Sequence, residues 1–223
     1  MQTDELGKFL REVMPRLNAE ERIVALEIYK ALAASGTISV AVLSERTRLA
    51  PSRVEAIVSS QTGVFRDERG DVVGFWGLTA QRVSKHVLRI NGQTRYAWCA
   101  WDCLFIPGIL GQSVQVQSVC HETGTPIELI VAPHSVEQVR PASTVLSMRL
   151  PPADDWRQDV VSSFCHFVHF FRNDEAAQKW AATRLGMRVI SLDEGLELGR
   201  MKNEWQFGEV ASSDRHALAR RAV

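Results

Sequence analysis

His86-Val-Leu-Arg-Ile-Asn-Gly-Gln-Thr-Arg-Tyr-Ala-Trp98 is the stretch on which the fold turns. Asn91-Gly92 supplies the two positive φ angles that a tight type I′ turn requires, so the flanking segments are predicted to pair as an antiparallel hairpin. Upstream, apolar residues recur at helical spacing; downstream, they alternate or run in short blocks bounded by turn residues. The chain therefore reads as α+β. A helical N-terminal subdomain leads into a mixed, mainly antiparallel β-sheet core with flanking helices. The second strand of the hairpin ends on Cys99-Ala-Trp-Asp-Cys103, where two thiols and a carboxylate sit among large apolar side chains.

Leu6, Phe9, Leu10, Val13 and Leu17 lie at helical spacing behind Asp4 and Glu5, which favour a helix N-terminus. A second helix is predicted over 20–34, stopping at Gly36. Two shorter ones follow over 40–48, with Ser39 as N-cap, and 51–61, with Pro51 opening the first turn. The stretch 64–76 then reads as a hairpin about Gly70, and residues 1–80 together look like a winged helix-turn-helix. DNA binding is disfavoured all the same. Residues 1–80 hold ten Lys or Arg against eleven Asp or Glu, and the candidate recognition helix has only Arg53, offset by Glu55. Phosphate contacts dominate DNA affinity and need a basic footprint.

Beyond the hairpin a short helix is expected from Cys99, broken near Pro107-Gly108. Residues 113–119 alternate polar and apolar as a half-buried strand, and a turn at 120–124 leads to a partner strand over 127–131. Further expectations are a strand over 144–150, a helix over 154–163, a buried aromatic strand over 164–171, helices over 174–183 and 193–203, and a strand segment at 189–192. The chain thus divides into residues 1–80, a core at 81–203, and a tail at 204–223.

Lys plus Arg equals Asp plus Glu, 26 against 26, so no global field draws in nucleic acid or an anionic membrane. The partner expected is small or neutral. Four cysteines without framework spacing suggest reduced thiols in a cytoplasmic setting. No apolar run approaches the ~18 residues that span a bilayer, and the acidic N-terminus lacks the apolar region of a signal peptide. Gly-x-Gly-x-x-Gly, Walker, Gly-x-Ser-x-Gly and His-Glu-x-x-His signatures are all absent, which leaves thiol chemistry.

With a helix starting near Cys99, Asp102 and Cys103 fall three and four residues on and face one pocket with it. The helix dipole would then favour the Cys99 thiolate. The plainer alternative makes Cys99 and Cys103 small buried hydrophobes with Asp102 as a cap. Cys165-His166-x-x-His169 suggests zinc, but Cys99, Cys120 and Cys165 are scattered singly, unlike the paired cysteines of structural zinc sites.

Tyr96-Ala-Trp-Cys-Ala-Trp-Asp102 with Phe105-Ile-Pro107, and Ser163-Phe-Cys-His-Phe-Val-His-Phe-Phe171, resemble the two signature segments of the alkylmercury (organomercurial) lyase family, MerB. The likeness takes in the turn at 120–124 and the winged region, about residues 20–203 in all. It implies that Cys99 and Cys165 are the catalytic cysteines and Asp102 the catalytic aspartate, the three being also the ligands of the Hg(II) product. It implies a structural role for Cys120, a winged-helix subdomain that does not bind DNA, and 81–203 as the catalytic core. It further implies no cofactor, release of product to cellular thiols, and mercuric reductase as acceptor. Two departures stand out: His166 follows Cys165 where some members carry a second cysteine, and Cys103 lies outside the motif.

The chemistry agrees with the residue types. Soft thiolates select a soft metal, and two of them on one mercury weaken its bond to carbon. Asp102 is placed to take a proton from a cysteine and pass it to the departing carbon. Burial and repulsion from the thiolates are expected to raise its pKa. Trp98, Trp101, Phe164 and Phe167 offer apolar surface for alkyl or aryl groups. The alternative from another class is a thiol-based metal-binding transcriptional regulator that uses the winged helix-turn-helix.

Overall fold

Asn91 and Gly92 take φ angles of 48° and 78°, and the strands they join pair from Ile90↔Gln93 to Val87↔Tyr96. The turn forms as its two residues require. The computed structural model describes residues 3–149 and 151–208; residue 150, expected to end a strand, and 209–223, most of the expected tail, lie outside the described residues.

The N-terminal elements are α1 (Thr3–Val13), α2 (Ala19–Ala34), α3 (Val40–Thr47), α4 (Pro51–Ser60), β1 (Val64–Arg66), β2 (Val72–Phe75) and β3 (Leu78–Thr79). Local chemistry sets their ends. Asn18 and Glu21 form a reciprocal capping box on α2, Ser39 caps α3, and Pro51 opens α4. There follow β4 (Val87–Ile90), β5 (Gln93–Ala97), α5 (Asp102–Leu110), β6 (Val114–Val119), β7 (Pro126–Ala132), β8 (Ser135–Arg140) and β9 (Val145–Arg149). The last group is α6 (Ala153–Gln158), α7 (Val160–Ser163), a 3₁₀ turn at Cys165–Phe167, β10 (Phe170–Phe171), α8 (Asp174–Ala181), β11 (Met187–Ser191) and α9 (Leu192–Phe207).

One eight-stranded sheet has the order β1-β2-β3-β5-β4-β6-β7-β8, and a second has the order β10-β9-β11; their pairings are antiparallel. The large sheet runs without a break across residue 80, through Leu78↔Ala97. Its strands follow the alternation of the sequence: on β6, Val114, Val116 and Ser118 are buried while Gln115 and Gln117 are exposed. No helix among the described residues is long and apolar enough to cross a membrane.

Four expectations are corrected. The run 164–171 is a 3₁₀ turn with two strand residues, not a strand. Its aromatics are buried in different directions, with Phe164 against Trp101 and Trp156 and Phe170 against His86. A contiguous apolar run carries no period that separates such a turn from a strand. The helix expected over 154–163 is split at Asp159, whose carboxylate accepts from the Ser162 N–H and starts a new turn. Pro107 does not break α5, which continues to Leu110 and ends on left-handed Gly111. Residues 103–107 are all buried, and Asn203 Nδ2 donates to the Phe105 carbonyl at 2.9 Å, so packing outweighs the roughly 3 kcal/mol that an interior proline costs. Finally, α9 runs to Phe207, into the stretch expected as tail.

α9 lies unusually close to α5. A Cβ on Gly199 would stand 2.7 Å from Phe105 Cβ and 3.2 Å from its Cα, so the absence of a side chain sets the approach. On the other flank α2 buries Tyr29 completely, edge-on to Phe75 at 5.3 Å and Phe207 at 6.3 Å. The Tyr29 hydroxyl donates to the Trp76 carbonyl at 2.8 Å, 47 residues away in sequence.

Tyr29→Phe keeps the ring but leaves the buried Trp76 carbonyl without that donor. It should cost about 1–3 kcal/mol in urea unfolding, the range for a buried polar group deprived of its partner. A loss below a few tenths would show that the bond does not hold the turn.

Candidate active site

β5 delivers Trp98, whose N–H donates to the Gly77 carbonyl at 3.0 Å, and the chain then turns through Cys99-Ala-Trp101 before α5 begins. Cys99 therefore precedes the helix by three residues and does not start it. The Asp102 carboxylate reaches back from the first residue of α5 and accepts the Cys99 N–H at 2.7 Å through Oδ2. The three-residue spacing that sequence assigned to a helix face is realised as this turn.

The second arm arrives from the far end of the chain. Ala100 N–H donates to the Val168 carbonyl at 3.1 Å, and Ser147 on β9 pins the same segment through three bonds. Its hydroxyl donates to the Phe167 carbonyl at 2.8 Å and accepts the His169 N–H at 3.0 Å, while its N–H donates to the His169 carbonyl at 3.0 Å. Cys165 is held beside Cys99. The donor atoms of Cys99, Asp102 and Cys165 all lie within 4.8 Å of one another, and the residues are 1 %, 5 % and 7 % exposed. Among the described residues this is the one such group of three or more metal-ligating side chains. Cys165, His166 and His169 form no zinc set, since His169 stacks on His121 with ring centroids 3.7 Å apart.

Cys103 is fully buried, its Sγ 3.7 Å from the Cys99 carbonyl and outside the group. Cys120 is buried at the β6–β7 turn, where its N–H donates to the Thr125 carbonyl at 2.8 Å. Of the aromatics singled out, Trp101 and Phe164 are core, with Trp101 Nε1 donating to the Gly195 carbonyl at 2.9 Å. Trp98 and Phe167 instead line a cavity of about 430 Å³ that reaches Cys165, together with His121, His166, His169 and Trp180.

Sequence reasoning missed the floor of the site. Trp76 and Gly77 turn β2 into β3 with φ angles of 36° and 93°. A Cβ on Gly77 would lie 2.6 Å from both Cγ and Oδ1 of Asp102, so only glycine admits the carboxylate here, on φ and on space alike. The Tyr29 hydroxyl bond holds the other half of that turn. A glycine directly after a bulky aromatic was the one signal available, and it falls just beyond the hairpin read over 64–76.

Electrostatics at the site follow from burial. Cys99 is pushed well above the ordinary thiol range by burial, then by its hydrogen bond with Cys165 and the charge of Asp102. At Cys165 the hydrogen bond with Cys99 pulls down, but burial and Asp102 leave it raised. The dipole effect expected to favour the thiolate is overridden, because Cys99 sits before the helix and is removed from water. Burial also lifts Asp102 to about 6, against the hydrogen bonds it accepts from Cys99. Repulsion by thiolates is not part of that rise: thiols held above their usual range keep their protons and act as donors.

Lys202 on α9 is the cation nearest in effect. It is 2 % exposed, its Nζ lies 3.9 Å from the Phe105 ring centroid and donates to Asn203 Oδ1 at 3.3 Å. Burial lowers its pKa from 10.5 to about 7, with Asp102 pulling the other way. The folded chain releases this proton from about pH 7 while the unfolded chain keeps it to about 10.5, so Lys202 makes stability rise with pH between those values. Asp102 has the opposite sign at lower pH, where its contribution is full below 3.8 and is lost as pH rises through about 6. In Lys202→Met the alkaline rise should disappear, read as the difference in urea midpoint between pH 7 and pH 9.5. An unchanged rise would place the lysine's ammonium in water.

The candidate recognition helix α4 spends its arginine internally: Arg53 pairs with Glu20 at 2.6 Å, and Glu55 with Arg66 at 2.8 Å. The regulator alternative finds no support in the comparisons either. The family model described as alkylmercury lyase matches residues 80–203. An alkylmercury lyase of Pseudomonas putida is 38 % identical over 149 residues, 67 % of this chain and 68 % of that one. Those of Bacillus cereus and Streptomyces lividans are each 35 % identical, over 76 % and 78 % of both chains. The crystal structure of the mercury-bound form of MerB2 superposes with a TM-score of 0.74 at 23 % identity, covering 91 % of this chain and 98 % of that one, which establishes the shared fold. With a buried pair of thiols and a carboxylate at its centre, and with this identity over most of its length, the chain belongs to the alkylmercury lyase family.

Proposed function

We propose that this lyase cleaves carbon–mercury bonds by protonolysis through Cys99, Cys165 and Asp102, releasing a hydrocarbon and Hg(II). The observation that carries this reading is two buried thiols and a buried carboxyl whose donor atoms lie within 4.8 Å of one another. Cys165, the most exposed of the three, meets R–Hg–X first: its sulfur bonds to mercury, X leaves, and the thiol proton goes with X. Cys99 then gives its proton to the Asp102 carboxylate and its sulfur to mercury. With two thiolates donating, the Hg–C bond breaks as Asp102 returns the proton to carbon. Two thiol protons are consumed, one on HX and one on RH, and no oxidation state changes. A pKa near 6 suits a group that must accept and then donate near neutral pH. The freed carboxylate is left beside the product mercury as a third ligand.

No cofactor enters these steps. Cellular thiols, and mercuric reductase as the acceptor, are the proposed route for Hg(II) out of the site, in the cytoplasm. Residues 1–80 are read as a winged-helix-like subdomain put to structural use, with 81–203 as the catalytic core. What supports this is the path from Tyr29 through the Trp76–Gly77 turn to Asp102.

Cys99→Ser and Cys165→Ser should each abolish benzene release from phenylmercuric acetate in excess thiol, measured in the headspace, since one thiolate cannot both hold and activate the metal. Cys103→Ser should stay close to the parent. Benzene from either of the first two variants, or its loss from a folded Cys103→Ser, would overturn the assignment.

Asp102→Asn should lower turnover by roughly 10²- to 10⁴-fold, the usual effect of losing a general acid or base. Hg(II) affinity, measured by competition with a dithiol on the same preparation, should fall far less. An equal collapse of both would make Asp102 a ligand or a structural residue.

A further inference from the structure

The cavity that reaches Cys165 is walled without a carboxylate. Its lining includes two cations, Lys85 and Arg184, four histidines, and the rings of Trp98, Phe167 and Trp180. Neither cation takes part in an ion pair among the described residues. The nearby Glu122 is turned to Lys179 at 2.6 Å and does not line the wall. Arg184 is set in place: its guanidinium lies 4.3 Å from the Trp180 ring centroid, and Nη1 donates to the Trp180 carbonyl at 2.6 Å and to Thr183 Oγ1 at 2.9 Å. Both of these bonds use one nitrogen. The histidines register the resulting field. His121 is lowered by burial and then by Lys85 and Arg184, and His86 is lowered to about 4, by burial first and then by His121 and Lys85. With His86 and His121 held below the ordinary imidazole range, Lys85 and Arg184 supply the standing charge of the wall, while Asp102 and Asp159, the carboxylates that act on Cys165, lie off it.

We propose that this cavity selects organomercurials that carry a carboxylate, borne either on the thiol that ligates mercury or on the organic group, with Lys85 and Arg184 as the anion-recognising pair. The inference rests on the lyase reading for the identity of the bound metal. At about 430 Å³ the cavity lies within the roughly 300–1,000 Å³ of small-ligand sites. On R–Hg–S–R′ the entry step is ligand exchange. The Hg–S bond to Cys165 forms, the Hg–S bond to R′ breaks, and the cysteine proton leaves on R′SH. Mercury stays divalent throughout. Lys85 and Arg184 on the wall hold the carboxylate of the complex while Cys165, on the same wall, takes the metal.

The test compares phenylmercury supplied with mercaptoacetate as sole thiol, phenylmercury with 2-mercaptoethanol, and 4-carboxyphenylmercury with 2-mercaptoethanol. The readout is kcat/KM for hydrocarbon release by the parent, Lys85→Gln and the double variant with Arg184→Gln. The advantage of a carboxylate-bearing complex over the neutral one should fall about five- to tenfold in the double variant, the scale of two partly solvated charge contacts. Lys85 is exposed, so Lys85→Gln alone should show part of the loss without disturbing the fold. An advantage confined to one carboxylate arm identifies the end that is held; an advantage absent in the parent, or unchanged in both variants, overturns the proposal. A second readout does not depend on catalysis: alkylation of Cys165 by iodoacetate relative to iodoacetamide, mapped by peptide mass spectrometry, should fall by a similar factor. Cleavage of all three complexes with flat ratios would leave the lyase and remove the anion site. A charge-dependent alkylation ratio without cleavage of any complex would remove the lyase reading, and the substrate assignment with it.

Discussion

The hydrogen bond from the Cys99 N–H to Asp102 Oδ2, 2.7 Å long and shut away from water, is the contact around which the molecule is arranged. A carboxylate placed in a core with no donor would be driven to protonate fully or to leave. Backbone donors at Cys99 and Trp98, the Cys99 thiol and the charge of Lys202 bring it partway back, to a pKa of about 6. The same bond closes the turn that aims Cys99 at Cys165. The Cys99–Asp102 contact thus ties the position of the carboxyl to its proton affinity, so that displacing the carboxyl shifts its pKa.

That geometry is supported from two directions. The Trp76–Gly77 turn lies against the carboxylate, so close that no side chain fits at 77, and α2 holds the turn through the Tyr29 hydroxyl. From the other side α9 approaches α5 at Gly199 and carries the buried Lys202. On the proposed structural reading of residues 1–80, the N-terminal helices act as one jaw of a clamp through Tyr29. Their neutral charge fits that use, because a buttress needs complementary shape and gains nothing from a basic face.

What was legible in the sequence follows the reach of the chemistry involved. Asn91-Gly92, Ser39, Pro51 and the alternation of 114–119 act within a few residues, and each formed the element its local preference dictates. Cys99 and Asp102 were recognisable because both motif and spacing are local; Cys165 was recognisable only through its motif, since nothing in spacing joins it to residue 99. The segment around it was misread because a block of aromatics has no period, and its turn is set by Ser147 bonds from another strand. Tyr29, Gly77 and Lys202 stayed hidden for a related reason. Each matters through a partner tens of residues away or more, and a tyrosine, a glycine and a lysine look ordinary until the chain has folded.

Raised thiol pKa values have a consequence for survival in the presence of oxidants. Peroxides and most electrophiles react with the thiolate, so a cysteine that keeps its proton is nearly inert toward them. Mercury differs, since its affinity for sulfur is enough to displace the proton as it binds, and the carboxyl proposed to receive that proton is already in contact with Cys99. Under the proposed mechanism, the pair is kept unreactive by its surroundings and is unlocked by the metal, a chemical filter set chiefly by burial.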